Sequence, residues 1–179
     1  ERTVFGSRKK LDANLLTDTA QDKSLAFTSL LLSGYHRNLS ELADRATITE
    51  TLGGGAVNYT LRNFKIGFTA VYGTYDAPYQ ARRQLYSSLV LHGNSFYNAG
   101  INYSFNWKNA YFFGEAASNG SDWAGISGFI ASLDPALDAT ILYRHYGQNY
   151  SGPYVNAFGE SSKNSDEQGT YLALSYHPS

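Results

Sequence analysis

The sequence predicts an all-β protein, an antiparallel transmembrane β-barrel of which about eight strands are seen. Three observations lead to this prediction. Runs of about ten residues alternate between apolar and polar side chains. The polar positions of these runs are mainly Asn, Ser, Thr and Gly, whereas most charged residues lie in the connections. Only 16% of the 179 residues are charged, compared with about 25% in typical soluble domains.

The run 97–107 shows the alternation most clearly. Its odd positions are Tyr97, Ala99, Ile101, Tyr103, Phe105 and Trp107, and its even positions are Asn98, Gly100, Asn102, Ser104 and Asn106. A period of two over this length predicts a strand. Shorter alternating runs predict further strands at 57–61, 64–72, 139–144 and 171–176. Gly, aromatic and β-branched content predicts less regular strands at 110–118, 122–133 and, at the start of the chain, about 2–15.

Two kinds of connection join these strands. Arg62-Asn63, Trp107-Lys108-Asn109 and Asp134-Pro135-Ala136-Leu137-Asp138 predict tight turns. Long connections at about 17–46, 77–95 and 149–168 are predicted to lie on the outer side of the membrane, with the tight turns on the periplasmic side. Within the first of them, 40–45 predicts one or two helical turns with Ser40 as the N-cap.

The side chains on the polar face distinguish a membrane barrel from a soluble one. A soluble barrel carries many charges on its water-facing side, whereas a membrane barrel turns an apolar band toward lipid and an uncharged polar face toward its lumen. We therefore expect Tyr97, Ile101 and Phe105 to face lipid, together with Ile66 and Phe68. We expect the lumen face to include Asn98, Asn102, Ser104 and Asn106. Two interfacial aromatic girdles are predicted from Phe64, Tyr72, Tyr97, Trp107, Trp123, Tyr143 and Tyr176.

A few charges fall within the predicted strands. A Lys or Arg facing lipid at mid-depth would cost about 2–4 kcal/mol, so a lumen-facing assignment is favoured. The candidates are Arg8, Lys10, Glu50, Lys65, Glu115 and Arg144. They form either an internally satisfied network or a lining that selects solutes.

Composition argues against several other functions. The chain has no Cys, which excludes disulfides and thiol chemistry, and its net charge of −1 argues against a broad nucleic-acid interface. The four His residues (His36, His92, His145 and His177) have no metal-ligand spacing, so no metal and no cofactor is predicted. His177 and Ser179 are close in sequence, but enzyme activity is not predicted.

Four stretches resemble the barrel portion of Bacteroidota outer-membrane proteins labelled helix-hairpin-helix domain proteins. They are 7–14, 33–45, 53–59 and 66–72. The resemblance implies a bacterial outer-membrane location, with membrane lipid and other subunits of an assembly as partners. The helix-hairpin-helix motifs themselves do not occur here, so no nucleic-acid contact is inferred.

These observations predict a single barrel segment over 1–179 with a non-enzymatic role. That role is a transport or channel component, or a membrane subunit of a larger assembly. A small membrane-barrel enzyme acting on lipid and a soluble ligand-binding barrel are the alternatives. Because Pro178 follows the last strand as in another turn, we expect the segment to be part of a larger barrel.

Overall fold

The computed structural model describes residues 1–18, 23–31, 33–80, 93–154, 158–159 and 165–178. These residues form an antiparallel β-sheet with one short helix. The elements are β1 (Arg2–Leu11), β2 (Ala13–Asp18), β3 (Lys23–Leu30), α1 (Leu39–Ala43), β4 (Ile48–Leu61), β5 (Phe64–Tyr79), β6 (Gly93–Trp107), β7 (Ala110–Ser118), β8 (Trp123–Asp134), β9 (Leu137–Tyr146) and β10 (Glu167–Tyr176). No described helix is long and apolar enough to cross a membrane.

Eight strands follow one another in the sheet, in the order β1-β4-β5-β6-β7-β8-β9-β10. They correspond to the eight strands that the sequence predicts. The two ends of this path, β1 and β10, are not paired with each other among the described residues, so the sheet is open there. Residues 62–63, 108–109 and 135–136 are turns, as predicted. Arg62 and Lys108 have φ values of 50° and 52°, as the first central position of a primed hairpin turn requires.

The structure corrects three predictions near the start of the chain. The predicted first strand, 2–15, is divided into β1 and β2. The predicted long connection 17–46 contains most of a β-hairpin, in which β2 pairs with β3. Helix α1 lies in this connection, but its N-cap is Asn38 rather than Ser40, because the Asn38 side chain accepts a hydrogen bond from the Glu41 amide. Parts of all three long connections, and His92 and Ser179, lie outside the described residues.

The chain divides into two compact units. The first comprises Glu1–Thr3, Gly55–Ala70 and Asn98–Ser179, and the second comprises Val4–Gly54 and Val71–Tyr97. In the first unit, continuous ladders join β6 to β7, β7 to β8, β8 to β9 and β9 to β10. In the second unit, a core forms from Ala13, Phe27, Ile48, Tyr75 and Phe96.

Candidate functional site

The ladders of the first unit show which side chains share each face of the sheet. One cross-strand row contains Phe105, Phe112, Phe129, Ile141 and Leu172, and the next row along the strands contains Ser104, Phe113, Gly128, Leu142 and Tyr171. Successive rows lie on opposite faces because side chains alternate along a strand. We call one side the apolar face, which carries Ile101, Tyr103, Phe105, Phe112, Phe129, Ile141, Tyr143, Leu172 and Leu174. We call the other the polar face, which carries Asn102, Ser104, Glu115, Arg144 and Glu167.

The polar face of the first unit contains a cleft of about 460 Å³. Its size falls within the ordinary range of ligand pockets. The polar side chains that line it include Asn58, Thr60, Lys65, Asn102, Ser104 and Glu115. The wall is completed by Glu1, Ile66, Tyr103, Tyr111, Phe113, Gly114 and Ile126. Amides and hydroxyls can both donate and accept hydrogen bonds, so this surface suits water and polar solutes.

Gly67 allows two amides to approach each other in this cleft. A Cβ atom at Gly67 would lie 2.4 Å from Asn58 Oδ1 and 2.5 Å from Asn102 Oδ1. The two side chains therefore occupy the space above the glycine, which is itself buried. Asn58 and Asn102 thus come together on the same face of the sheet, as the alternation in β4 and β6 predicts for each strand separately.

The charged residues predicted from the sequence have different surroundings. Lys65 and Glu115 are exposed and line the cleft. Arg144 is only 6% exposed, and its Nε donates to Glu167 Oε1 at 2.6 Å. The buried cation is therefore neutralised by a hydrogen-bonded carboxylate, as burial of a charge requires. The sequence analysis did not single out Glu167 as its partner.

The second unit has its own buried charge, Glu50. The Glu50 side chain is fully buried, and its Oε1 lies 3.3 Å from Lys9 Nζ. Lys9 lies between Arg8 and Lys10, so alternation along β1 directs Arg8 and Lys10 to the side opposite Lys9. The assignment of Arg8 and Lys10 to the lumen stays a prediction. The run Arg8-Lys9-Lys10 gave no indication of which basic residue would pair with Glu50.

The apolar face of the first unit is exposed. Ile101 is 40%, Leu172 68% and Leu174 75% exposed. Phe105 is half-buried because its ring stacks on Phe112 with centroids 4.7 Å apart. All seven residues of the predicted aromatic girdles, which are Phe64, Tyr72, Tyr97, Trp107, Trp123, Tyr143 and Tyr176, are exposed as well. Many large apolar side chains are thus exposed while Arg144 is buried, which is the reverse of the usual arrangement in water.

His177 forms the closest approach to a catalytic arrangement among the described residues. Its Nε2 lies 3.2 Å from Ser175 Oγ and 3.6 Å from Asp138 Oδ2. The sequence analysis predicts no enzyme activity, and a His that contacts Ser raises the question of whether a third group orients its ring. A general base of the Ser-His-Asp type contacts Ser through one ring nitrogen and the carboxylate through the other. Here both neighbours share Nε2, and the His177 side chain is 66% exposed, so the carboxylate does not orient the ring for proton transfer.

His36 forms part of a second polar cluster, at the junction of β1 and β2. Its Nε2 lies 2.9 Å from Asp12 Oδ2, and the Ala46 amide donates to Asp12 Oδ1 at 2.8 Å. The hydrogen bond from Ala46 lowers the pKa of Asp12, and the neighbouring His36 lowers it further. This cluster connects the residues around α1 to the end of β1. The described residues include no group of three or more His, Cys, Asp or Glu that could hold a metal ion.

No protein-family model, no curated protein and no solved structure matches this chain. The likeness to Bacteroidota outer-membrane proteins stays a prediction from the sequence. The arguments about function therefore rest on the two faces of the sheet.

Proposed function

We propose that this chain is a non-enzymatic β-barrel segment of a bacterial outer membrane. In this proposal the apolar face of the first unit contacts lipid and the polar face lines a lumen. The segment acts as a transport or channel component, or as a membrane subunit of a larger assembly. An unpaired strand edge in hydrocarbon is costly, so the edges of β1 and β10 must be paired in the membrane. They pair either with each other or with further strands that close the barrel.

The observation that carries this proposal is the exposure of the apolar face. Contiguous exposed apolar surface of this kind usually marks contact with a protein or a membrane. The face spans five strands, and several of the small side chains between its large ones are apolar too, namely Ala110, Ala116 and Ala131. Lipid as the partner explains why the opposite face retains Asn, Ser and buried ion pairs. A soluble ligand-binding barrel would require the opposite arrangement.

The length of β6 supports a membrane crossing. Tyr97 and Trp107 are ten residues apart on one face, which corresponds to about 34 Å along the strand. A tilt of roughly 35–45° reduces this to about 24–28 Å along the membrane normal, close to the apolar band of about 25 Å in outer-membrane barrels. The two aromatic residues would then lie at the two interfaces, where Trp and Tyr are enriched.

The cleft on the polar face favours a transport or channel role over purely structural anchoring. Its lining combines uncharged amides with one basic side chain, Lys65, and two acidic residues, Glu1 and Glu115. A purely structural lumen of a small barrel is filled by side chains, whereas the side chains on the polar face leave a cleft between them. The alternative of a lipid-modifying enzyme receives no support from the geometry of His177, since its ring lacks a separate orienting carboxylate.

Reconstitution into lipid vesicles tests the proposal. The purified full-length protein is refolded into vesicles and floated on a density gradient, and its far-ultraviolet circular dichroism and its mobility on unheated gels are recorded. We expect flotation after washing with high salt and alkaline carbonate, a β-sheet spectrum, and a mobility that changes on boiling. A β-sheet protein that remains in the soluble fraction would contradict the proposal and favour the soluble barrel.

A further inference from the structure

The β2–β3 hairpin covers one face of the sheet in the second unit. Phe27, on β3, is 1% exposed, and its ring centroid lies 5.2 Å from that of Tyr75 and 5.0 Å from that of Tyr79. Tyr75 in turn lies 5.6 Å from Phe96. Ala13 and Ala26 of the hairpin are completely buried. The hairpin is therefore packed onto the strands through a continuous aromatic cluster.

Hydrogen bonds hold the hairpin at both of its strands. The Ala13 amide donates to the Asp44 carbonyl at 3.1 Å, and Thr47 Oγ1 donates to the Ala13 carbonyl at 3.0 Å. On the other strand, the Gln80 amide donates to the Phe27 carbonyl at 2.9 Å. This last bond belongs to a parallel bridge between β3 and β5. The parallel bridge joins the hairpin to the end of β5 outside the antiparallel strand order.

The covered face is the one opposite the exposed aromatics of this unit. Tyr72 and Tyr97 are 56% and 51% exposed, and both belong to the predicted girdles. Their neighbours Gly73 and Phe96 point the other way and are buried. A Cβ at Gly73 would lie 2.3 Å from the Phe96 ring, so the glycine makes room for that ring beneath the hairpin. If Tyr72 and Tyr97 face lipid, the hairpin lies on the lumen side.

We propose that the paired strands β2 and β3 form a constriction on the lumen side of the second unit that restricts ion passage, with Phe27 as the residue that holds them in place. This inference rests on the proposed function, since it needs a lumen to restrict. Phe27 stabilises the closed position because its ring fills the space between Tyr75 and Tyr79. Removing the ring leaves the hairpin attached through backbone hydrogen bonds but no longer packed.

Ion conductance across planar bilayers tests this inference, using the full-length protein, Phe27→Ala and a matched control, Leu16→Ala. Leu16 is on the same hairpin but is 39% exposed, so its truncation leaves the aromatic cluster intact. We expect low conductance from the unchanged protein and from Leu16→Ala, and a several-fold increase from Phe27→Ala. A variant in which 14–29 is replaced by a short Gly-Ser linker should conduct at least as well as Phe27→Ala.

Vesicle flotation and circular dichroism of the same preparations separate the two proposals. Failure of the unchanged protein to insert as β-sheet would contradict the proposed function. Insertion of all variants with equal conductance would refute the constriction alone. If the linker variant does not fold, the comparison of Phe27→Ala with Leu16→Ala still tests the constriction, because each variant truncates only one apolar side chain.

Discussion

Lysine substitutions at two neighbouring residues of β6 separate a lipid-facing strand surface from a water-facing one. Ile101 is on the apolar face and is 40% exposed, whereas Asn102 is on the polar face and is also exposed. Ile101 lies four residues from Tyr97 and six from Trp107, which places it near mid-depth if these aromatics mark the interfaces. Its partner on β7 is Ala116, which is followed in the same row by Gly125, and neither side chain offers a polar group to a new ammonium.

The expected cost differs strongly between the two positions. A Lys facing lipid at mid-depth lowers the free energy of unfolding by about 2–4 kcal/mol. At an ordinary water-exposed position the change is within about 0.5 kcal/mol. We therefore expect Ile101→Lys to be destabilised by about 2–4 kcal/mol in vesicles, and Asn102→Lys to be almost neutral. With a typical denaturant slope, this corresponds to a shift in the unfolding midpoint on the order of 1 M guanidinium chloride.

Tryptophan fluorescence during denaturant titration in vesicles measures this difference, since Trp107 and Trp123 report unfolding. Both residues are exposed on the folded sheet, so their emission should shift to the red when the protein leaves the lipid. Equal midpoints for the two variants would refute the assignment of the apolar face to lipid. A larger loss for Asn102→Lys would indicate that the two faces are reversed.

Three further predictions concern packing, pH and topology. Gly128→Ala should lower the free energy of unfolding by about 1–3 kcal/mol in the same titration, because the new Cβ would lie 2.5 Å from the Ile141 carbonyl oxygen. Gly53→Ala should be tolerated, because the atom nearest to its new Cβ is 3.9 Å away. Since the pKa of Asp12 is lowered in the folded protein, the stabilisation it provides is present above about pH 4 and is lost as the pH falls through that lowered pKa. The protection factor of the Ala46 amide against hydrogen exchange should fall as Asp12 becomes protonated, and a protection factor that stays constant while Asp12 titrates would contradict this. Protease added to intact cells should cut within 149–168 and spare the turn at Lys108, and the reverse pattern would invert the topology.

The path of eight strands could be predicted from the sequence because five of these strands contain alternating runs and the other three are rich in Gly, aromatic and β-branched residues between turn signals. The hairpin could not be predicted in this way. Its ladder has register shifts between Asn14 and Leu15 and between Leu16 and Thr17, and each shift changes which side chains share a face. Apolar residues therefore occur in adjacent positions, and the period of two is lost although the backbone is paired.

The polar face was predicted strand by strand, but the contacts on it were not. Alternation predicts that Asn58 and Asn102 lie on the polar side of their own strands. It does not predict the register between strands, which brings the two side chains together above Gly67. The N-cap of α1 had a sequence signal that favoured the observed residue: Glu41 follows Asn38 by three positions, the spacing of a capping box, whereas Ala43 follows Ser40 at that spacing.

The central claim is that one face of β6 contacts lipid and the other contacts water, and a spin-label scan of 97–107 in vesicles tests it most directly. Because the chain has no Cys, single Cys substitutions can be labelled one at a time. The collision rates of each label with oxygen and with a water-soluble nickel complex are then measured. We expect oxygen to reach labels at odd positions such as Ile101 most effectively, and the nickel complex to reach labels at even positions such as Asn102. Two profiles that rise and fall in phase, or a nickel maximum at the odd positions, would contradict the lipid-facing assignment.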